Sequence, residues 1–318
     1  MHNPLVSIIV CTFNRAALLE KTLESIFAQI YSPVEILVID DGSTDGTQEL
    51  IARYGDSIRY FWQENKGITA SRTIGCQLAK GNYIAFQDDD DLMLPDRIVS
   101  LYEALSQNPS SVLSISDLAF IDYDGNVTGD KTRYKICDDI KAPIEKPLAI
   151  EDGYTAVMWP KISPSPDTTL FKKADAERIG WFDTIFTHGC EDTDFFARLA
   201  ALGPIVYVPK VLAYYRRGHV SLSNNNLLME YSRFLLFEKH LKLNRNERKD
   251  LHNCLKYRML SSLRVIAFFK SQGIKLDSIS PDYLNRGLCF LGVKERFLYE
   301  WYTLVRLPLR RLLKGNNE

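Results

Sequence analysis

Four consecutive aspartates, Asp88-Asp89-Asp90-Asp91, follow the short apolar run Tyr83-Ile84-Ala85-Phe86. Carboxylates packed this closely at the end of a buried strand repel one another and lose hydration unless something positive sits nearby. Hard divalent ions such as Mg²⁺ or Mn²⁺ prefer carboxylate oxygens and would answer that demand. A solvated acidic turn is the other reading of the same run, and the four residues alone do not choose between them.

Three more segments offer chemistry. Asp40-Asp41-Gly42-Ser43 follows the apolar run Val34–Ile39. Its carboxylates suit a ribose or the N–H of a base, and Gly42 permits a tight turn; Ser43 or Thr44 can equally well cap the next helix. In Asn65-Lys66-Gly67 through Ser71-Arg72, a helix start favours anions, and Arg72 can reach a phosphate, order the aspartates or make a surface ion pair. Glu191-Asp192-Thr193-Asp194 opens a helix with more acid than a helix dipole calls for. A carboxylate held in a pocket there makes a usable general base. Finally, Tyr214-Tyr215-Arg216-Arg217-Gly218-His219 joins basic residues to a glycine hinge, as in a loop closing on a diphosphate. His219 is either a third metal ligand or a solvated loop histidine.

These groups need a frame that brings them together. Up to about residue 110 the pattern alternates. Strands are expected at 6–11, 34–39, 58–62 and 83–86, and helices at 15–30, 47–54, 68–79 and 95–105. Such alternation implies βαβ units and a parallel sheet, with ligands beyond the carboxyl ends of its strands. The polar segments fall after those strands. From Val112 the pattern changes: strands at 112–121, 168–171, 205–208 and 211–215, a hairpin turn at 123–126, and helices at 174–179 and 192–201. Residues 131–146 are polar and irregular and read as a loop over the site or a mobile segment. Beyond Asn224-Asn225-Asn226 the chain reads as helical, at 227–241, 248–270 and 295–313. The expected organisation is therefore an α/β body over 1–223, in halves 1–111 and 112–223, with a helical extension over 224–318.

Composition narrows the class. A formal net charge of −1 gives no basic stripe for nucleic acid. The six cysteines are scattered without a Cys-x-x-Cys pair, which suggests neither zinc nor a disulfide framework and fits a reducing cytosol. Neither a secretory leader nor an 18-residue apolar run is visible.

Taken in order, the motifs resemble an inverting glycosyltransferase of family 2 with the GT-A fold, a mainly parallel mixed sheet flanked by helices. The resemblance runs from Val6 to Ser223. It rests on Thr12-Phe13-Asn14-Arg15, Val38 to Ser43, Asn65-x-Gly67 through Arg72, and Asp88-x-Asp90-Asp91 followed by Pro95. It continues in Gly180-Trp181-Phe182-Asp183, Glu191-Asp192-x-Asp194, and Tyr215-Arg216 with His219 to Ser223. It implies a nucleotide-diphosphate sugar donor. Thr12, Phe13, Arg15 and Asp41 would lie at the nucleotide sugar with Asp40 in support, together with Arg72, Asp88 and Asp89. Mn²⁺ or Mg²⁺ would sit on Asp90 and Asp88. Asp192 would be the base that deprotonates an acceptor hydroxyl, with Glu191 and Trp181 on the acceptor side. Thr73, Asp89 and Trp181 depart from the family's frequent residues without removing a group the reaction needs.

A sugar nucleotidyltransferase would show a Gly-rich loop after the first strand, which Thr12-Phe13-Asn14-Arg15 lacks. A binding module without catalysis would have no use for Asp88, Asp90 and Asp192 together. The acceptor implied is a saccharide or a lipid-linked one, in bacterial surface polysaccharide or glycolipid assembly at the cytoplasmic side. The tail from Trp301 to Lys314 mixes aromatic, leucine and basic residues. It suits an anionic membrane surface, or docking on the domain or on another subunit of a homo-oligomer.

Overall fold

The first strand, β1 (Val6–Thr12), is buried at every position, as a strand covered on both faces must be. In the computed structural model, which describes residues 3–131, 144–159, 162–218, 226–244 and 249–271, β1 is an inner strand of a ten-stranded sheet, between β2 and β4. The alternating region supplies α1 (Ala16–Phe27), β2 (Val34–Asp40), α2 (Thr47–Ala52), β3 (Arg59–Trp62), α3 (Ile68–Leu78) and β4 (Tyr83–Asp88). A two-residue strand, β5 (Leu92–Met93), and α4 (Arg97–Gln107) follow. The rest of the sheet comes from β6 (Leu113–Ile121), β7 (Val127–Lys131), β8 (Leu148–Ile150), β9 (Thr169–Lys172) and β10 (Ile205–Arg216). Between them lie α5 (Gly153–Met158), α6 (Lys173–Ile179) and α7 (Glu191–Ala200), and after them α8 (Asn226–Leu243) and α9 (Lys249–Ser271).

The strand order is β3-β2-β1-β4-β9-β6-β10-β5, with β7 on β6 and β8 on β10. The long ladders, β1 with β2 and β4, β2 with β3, and β6 with β10, are parallel. The short ones, including β9 between β4 and β6, are antiparallel. Chain order reverses at β1, whose two neighbours are β2 and β4. A mainly parallel sheet places its ligand crevice beyond the carboxyl ends at such a point.

Among the described residues the expected elements form, with shifts of a few residues at their ends; the helix expected at 295–313 lies outside them. One difference is structural. The two strands expected at 205–208 and 211–215 are one strand, β10, with register breaks between Val208 and Val211 and between Val211 and Ala213. Pro209 lies in that stretch and has no N–H to give a ladder, so the strand bulges there and then continues. The sequence reading also lacked β5, β8 and α5, all of six residues or fewer.

The chain divides into two compact units, 1–187 with 191–220, and 188–190 with 221–318. In the first, Val6, Ile8 and Val10 of β1 meet Leu19, Leu23 and Ile26 of α1 and Ile98, Leu101 and Leu105 of α4 in one core. In the second, α9 buries Leu251, Leu255, Met259, Leu263 and Ile266, a stripe at helical spacing. The Arg258 guanidinium lies 4.6 Å from the ring centroid of Phe237 on α8. Among the described residues no helix is long and apolar enough to cross a membrane. The expected loop over 131–146, His219 and the tail from Trp301 to Lys314 lie wholly or mostly outside the described residues.

Candidate active site

Register puts the acids side by side. Cys11 pairs with Asp88 across β1 and β4, and Thr12 pairs with Asp40 across β1 and β2. Side chains leaving these three strands therefore converge at one edge of the sheet.

Arg72 is the hinge of that edge. It lies on α3, is buried, and stacks 5.9 Å from the centre of the Phe86 ring. Its Nη2 donates to Asp88 Oδ1 at 2.8 Å and its Nη1 to Glu191 Oε1 at 2.6 Å. One guanidinium thus joins the end of β4 to the start of α7, across 119 residues of chain for Glu191. Charge-assisted bonds of this kind are the strong ones, and a planar fork is suited to two carboxylates at once.

A phenylalanine stack sets α7 against the sheet. Phe182 and Phe195 stack with centroids 4.2 Å apart, and Phe195 meets Phe171 of β9 at 5.3 Å. The first turn of α7 then divides its acids by role. Asp194 is fully buried and accepts from Arg198 Nε at 2.8 Å, while Arg198 also donates to the carbonyls of Ile179 and Trp181. It ties the Gly180-Trp181 turn to α7 and is a structural acid. Trp181 has φ 66°, a left-handed backbone that favours glycine. Glu191 is buried, and its carboxyl is pushed up to about 7 by burial and by the Asp192 charge, with Arg72 opposing. Asp192 is only partly buried. Its Oδ1 accepts from Thr193 N at 2.6 Å, and its other oxygen makes no hydrogen bond among the described residues.

The aspartate run is not a solvated turn. Asp89, Asp90 and Asp91 are all buried. Arg15, the residue before α1, donates to Asp89 Oδ1 at 3.0 Å and also pairs with Asp90. Burial nonetheless pushes Asp89 up to about 7, the neighbouring Arg15 charge opposing it. Asp91 Oδ1 accepts from Arg216 N at 2.7 Å, and the burial of its carboxyl, followed by the Asp167 charge, raises it well above the usual carboxylate range.

Two residues that the sequence did not mark stand behind this run. Asp167, in the 3₁₀ turn ahead of β9, accepts from Asp88 N and from Gln87 Nε2, both at 2.9 Å. Because β9 runs antiparallel to β4, the residues entering β9 lie beside those leaving β4. An acid two residues before a short strand was the only local signal, and it means nothing until that pairing is known. Arg97, on α4, is fully buried and held by burial down at about 10, with the nearby acids opposing.

The remaining expected residues fall as follows. Phe13 is 45% exposed, beside a buried Thr12. Asp40 Oδ1 accepts from Ser43 N, and Oδ2 from the Tyr60 hydroxyl at 2.6 Å. Asp41 accepts from Gln63 Nε2, Lys66 N and Gly67 N, which holds its carboxylate at the start of α3. Gly42 has φ 91°, and a Cβ there would meet Asn65 N at 2.9 Å. Ser43 and Thr44 do not cap α2. They bind Asn14, which also adopts a positive φ, and Asp45 takes the Thr47 amide instead. Arg216, expected on a mobile phosphate loop, is buried. Its Nε donates to Asp90 O at 2.8 Å and its Nη1 to Tyr123 O at 2.7 Å. Its spacing next to Gly218 reads as a loop, but β10 runs on through it.

The chain is similar to several known proteins. It is 39% identical over 97 residues to an uncharacterised glycosyltransferase of Rickettsia typhi, covering 30% of each chain. It is 31% identical over 142 residues to the glycosyltransferase GlyA of Streptococcus pneumoniae, covering 42% of this chain and 20% of the other. The matched stretches span less than a third of these relatives' lengths. Among solved structures, S. aureus TarS 1–349 in complex with UDP-GlcNAc superposes with a TM-score of 0.63 at 15% identity, over 95% of this chain and 82% of the other. The mannosyltransferase PcManGT of Pyrobaculum calidifontis, in complex with GDP-Man and Mn²⁺, gives 0.57 at 16% identity, over 96% and 88%. These likenesses carry the expected fold. The profile described as glycosyl transferase family 2 matches residues 7–179, more than half of the 318 residues, and the chain belongs to that family.

Proposed function

We propose that this chain is a metal-dependent inverting glycosyltransferase that moves a sugar from a nucleotide-diphosphate donor to an acceptor hydroxyl in a single displacement. The observation that carries this reading is the Arg72 bridge. It holds Asp88, at the donor end of the crevice, and Glu191, the residue before Asp192, on one guanidinium. A base and a donor-binding acid so joined have the relation that attack from the face opposite the leaving group requires.

Asp192 takes the proton from the acceptor hydroxyl through its unengaged oxygen. That oxygen of the acceptor bonds to C1 of the sugar as the C1–O bond to the diphosphate breaks, and the anomeric centre inverts. Glu191 and Trp181 line the acceptor side. Phe13, Thr12 and Arg15 meet the nucleotide with Asp41, and Asp40 supports them through Ser43 and Tyr60. The buried acids left with orphaned oxygens, at Asp91 and Asp167, fit a hard divalent ion at this edge. Asp88 and Asp90 are the donor-side residues that would hold Mn²⁺ or Mg²⁺, with His219 a further ligand. Such an ion, when bound, neutralises charge on the diphosphate leaving group.

The nucleotide sugars held by TarS and PcManGT support the donor class. We assign the acceptor to saccharides or lipid-linked saccharides of bacterial surface polymers, at the cytoplasmic side. The C-terminal helices would give peripheral membrane or subunit contacts. Liposome co-sedimentation tests the membrane contact: it should fall when Arg310, Arg311 and Lys314 become Gln.

The decisive experiment measures sugar transfer and donor binding with Mn²⁺ for wild type and Asp192→Asn. Loss of a general base costs roughly 10²–10⁴-fold in rate. The expected result is that loss with donor affinity retained. Unchanged transfer in the variant removes Asp192 as base, and pyrophosphate release from a nucleoside triphosphate would mark a nucleotidyltransferase instead. Donor binding without transfer or hydrolysis in the wild type would mark a module without catalysis.

A further inference from the structure

We infer that Asp167 completes a three-carboxylate site with Asp88 and Asp91, which takes a small hard divalent cation of the Mg²⁺ or Mn²⁺ class. The inference deepens the proposed function, on which its place in the reaction rests, by adding a ligand from outside the aspartate run.

The geometry supplies the cluster. One oxygen from each of Asp88, Asp91 and Asp167 lies within 4.8 Å of the other two. Metal–oxygen bonds of about 2.0–2.6 Å put oxygens on opposite sides of an ion roughly 4–5 Å apart. The three acids therefore span a hard cation with little movement.

A cluster of acids alone would not point to an ion; the orphaned oxygens do. Asp91 is 0% and Asp167 1% exposed. Each spends one oxygen on protein donors, Asp91 on Arg216 N and Asp167 on Gln87 Nε2 and Asp88 N. The second oxygen of each, Oδ2, is buried with no donor from another residue among the described residues, and the two carboxyls face each other. Asp88 is only partly buried: Oδ1 holds Arg72, and its other oxygen makes no hydrogen bond among the described residues. Buried polar groups are nearly always satisfied, and an unpaired buried carboxylate is among the most costly groups a fold can carry.

Nearby cations do not fill the need. Arg72 serves Asp88 and Glu191. Arg97 lies beneath the cluster, but its amino groups donate to neutral oxygens: Gln87 Oε1 at 2.8 Å, Phe86 O at 2.9 Å, Pro166 O at 3.0 Å and Thr169 O at 3.2 Å. Arg216 gives Asp91 only its backbone amide, and its side chain goes to carbonyls. Asp90, by contrast, already has the Arg15 side chain. Positive charge at this edge thus pairs directly with Asp88, Asp89, Asp90 and Glu191; among the described residues Asp91 and Asp167 make no ion pair, and the Arg97 charge acts on Asp167 without a hydrogen bond.

The site is also built. Asp167 sits in a 3₁₀ turn closed by a capping box between Ser165 and Thr168, and the donors Gln87 Nε2 and Asp88 N hold its carboxyl in place.

The test is Mn²⁺ binding to the full chain without donor, read by the electron paramagnetic resonance of free Mn²⁺ and by the melting temperature with and without the ion. Asp167→Asn keeps the shape and removes the charge. It should weaken Mn²⁺ binding by at least tenfold and abolish most of the thermal shift that Mn²⁺ gives the wild type. Asp167→Ser serves the same purpose should the Asn variant fail to fold. Wild-type Mn²⁺ affinity in a folded Asp167 variant overturns the inference, whether or not Asp90→Asn loses binding; it means that Asp91 and Asp167 share a proton and hold no ion. A chain that binds Mn²⁺ through Asp167 yet transfers no sugar would refute the proposed function and leave this site standing.

Discussion

Arg72 donates to Glu191 at 2.6 Å and, with its other amino group, to Asp88 at 2.8 Å. Both ends of this bridge are short, and Arg72 and Glu191 are both nearly inaccessible. Removing one partner of a buried pair strands the other, at a cost of about 3–5 kcal/mol. Arg72→Ala should therefore lower the unfolding free energy by an amount in that range, measured by urea denaturation. Arg72→Lys keeps the charge but cannot fork between two carboxylates. It should recover part of the stability and little of the transfer rate. Full activity in the lysine variant would mean that charge alone, without the bridge, positions α7 against β4.

The same pair sets a pH dependence. Glu191 is raised from 4.5 to about 7, by burial first and then by Asp192, with Arg72 opposing. Between those two values the native state binds more protons at this group than the unfolded chain does. Stability contributed by Glu191 therefore falls as pH rises from about 4.5 to about 7. Glu191→Gln should flatten that part of the unfolding free energy profile, measured at intervals from pH 4.5 to 8. Equal slopes for variant and wild type would place the titration elsewhere, with Asp89 the next group to replace.

Arg216 makes a different prediction from the one its sequence context suggests. Its guanidinium holds the carbonyls of Asp90 and Tyr123, and its backbone amide holds Asp91. Leaving such buried acceptors unsatisfied costs about 1–3 kcal/mol each. Arg216→Met should lower the melting temperature strongly with or without a nucleotide sugar. A variant as stable as wild type but with a raised donor KM would instead return Arg216 to the diphosphate.

The alternating half of the fold is legible because each element carries its own period. The β-branched run of β1 and the leucine spacing of α1 need no partner to be read. The polar residues after those strands are legible for the same reason, since parallel strands all deliver their carboxyl ends to one edge. What is not legible depends on pairing between distant segments. Asp167 joins the aspartates only because β9 runs antiparallel to β4. Asp41 reads as an acceptor for a ribose or a base, yet three donors from residues 63–67 already converge on it. Asp194 and Asp192 look alike in sequence, and only Arg198 separates the structural acid from the open one.

Glu35 and Gly81 give the last prediction, far from the aspartates. The Glu35 carboxylate accepts from Ser7 Oγ, from Arg59 Nη1 at 2.7 Å and from the amides of Lys80 and Gly81. One side chain thus fastens the start of β4 to β1, β2 and β3. Burial works to raise its pKa, but the bonds from Ser7, Lys80 and Arg59 outweigh burial and hold it below the usual 4.5. A depressed acid contributes stability that is fully present above its unfolded value and is lost as pH falls through the folded one. Glu35→Gln should cost about 1.5–3 kcal/mol at neutral pH, the range for hydrogen bonds to a charged group. The gap between variant and wild type should close as pH drops below 4.5. Gly81→Ala attacks the same joint by sterics, since a Cβ there would lie 2.6 Å from Ser7 N and 2.8 Å from Leu5 O. Overpacking against backbone costs about 1–3 kcal/mol, and the loss should not vary with pH. A stability gap for Glu35→Gln that stays constant down to pH 3 would show that the glutamate acts here by shape and not by charge.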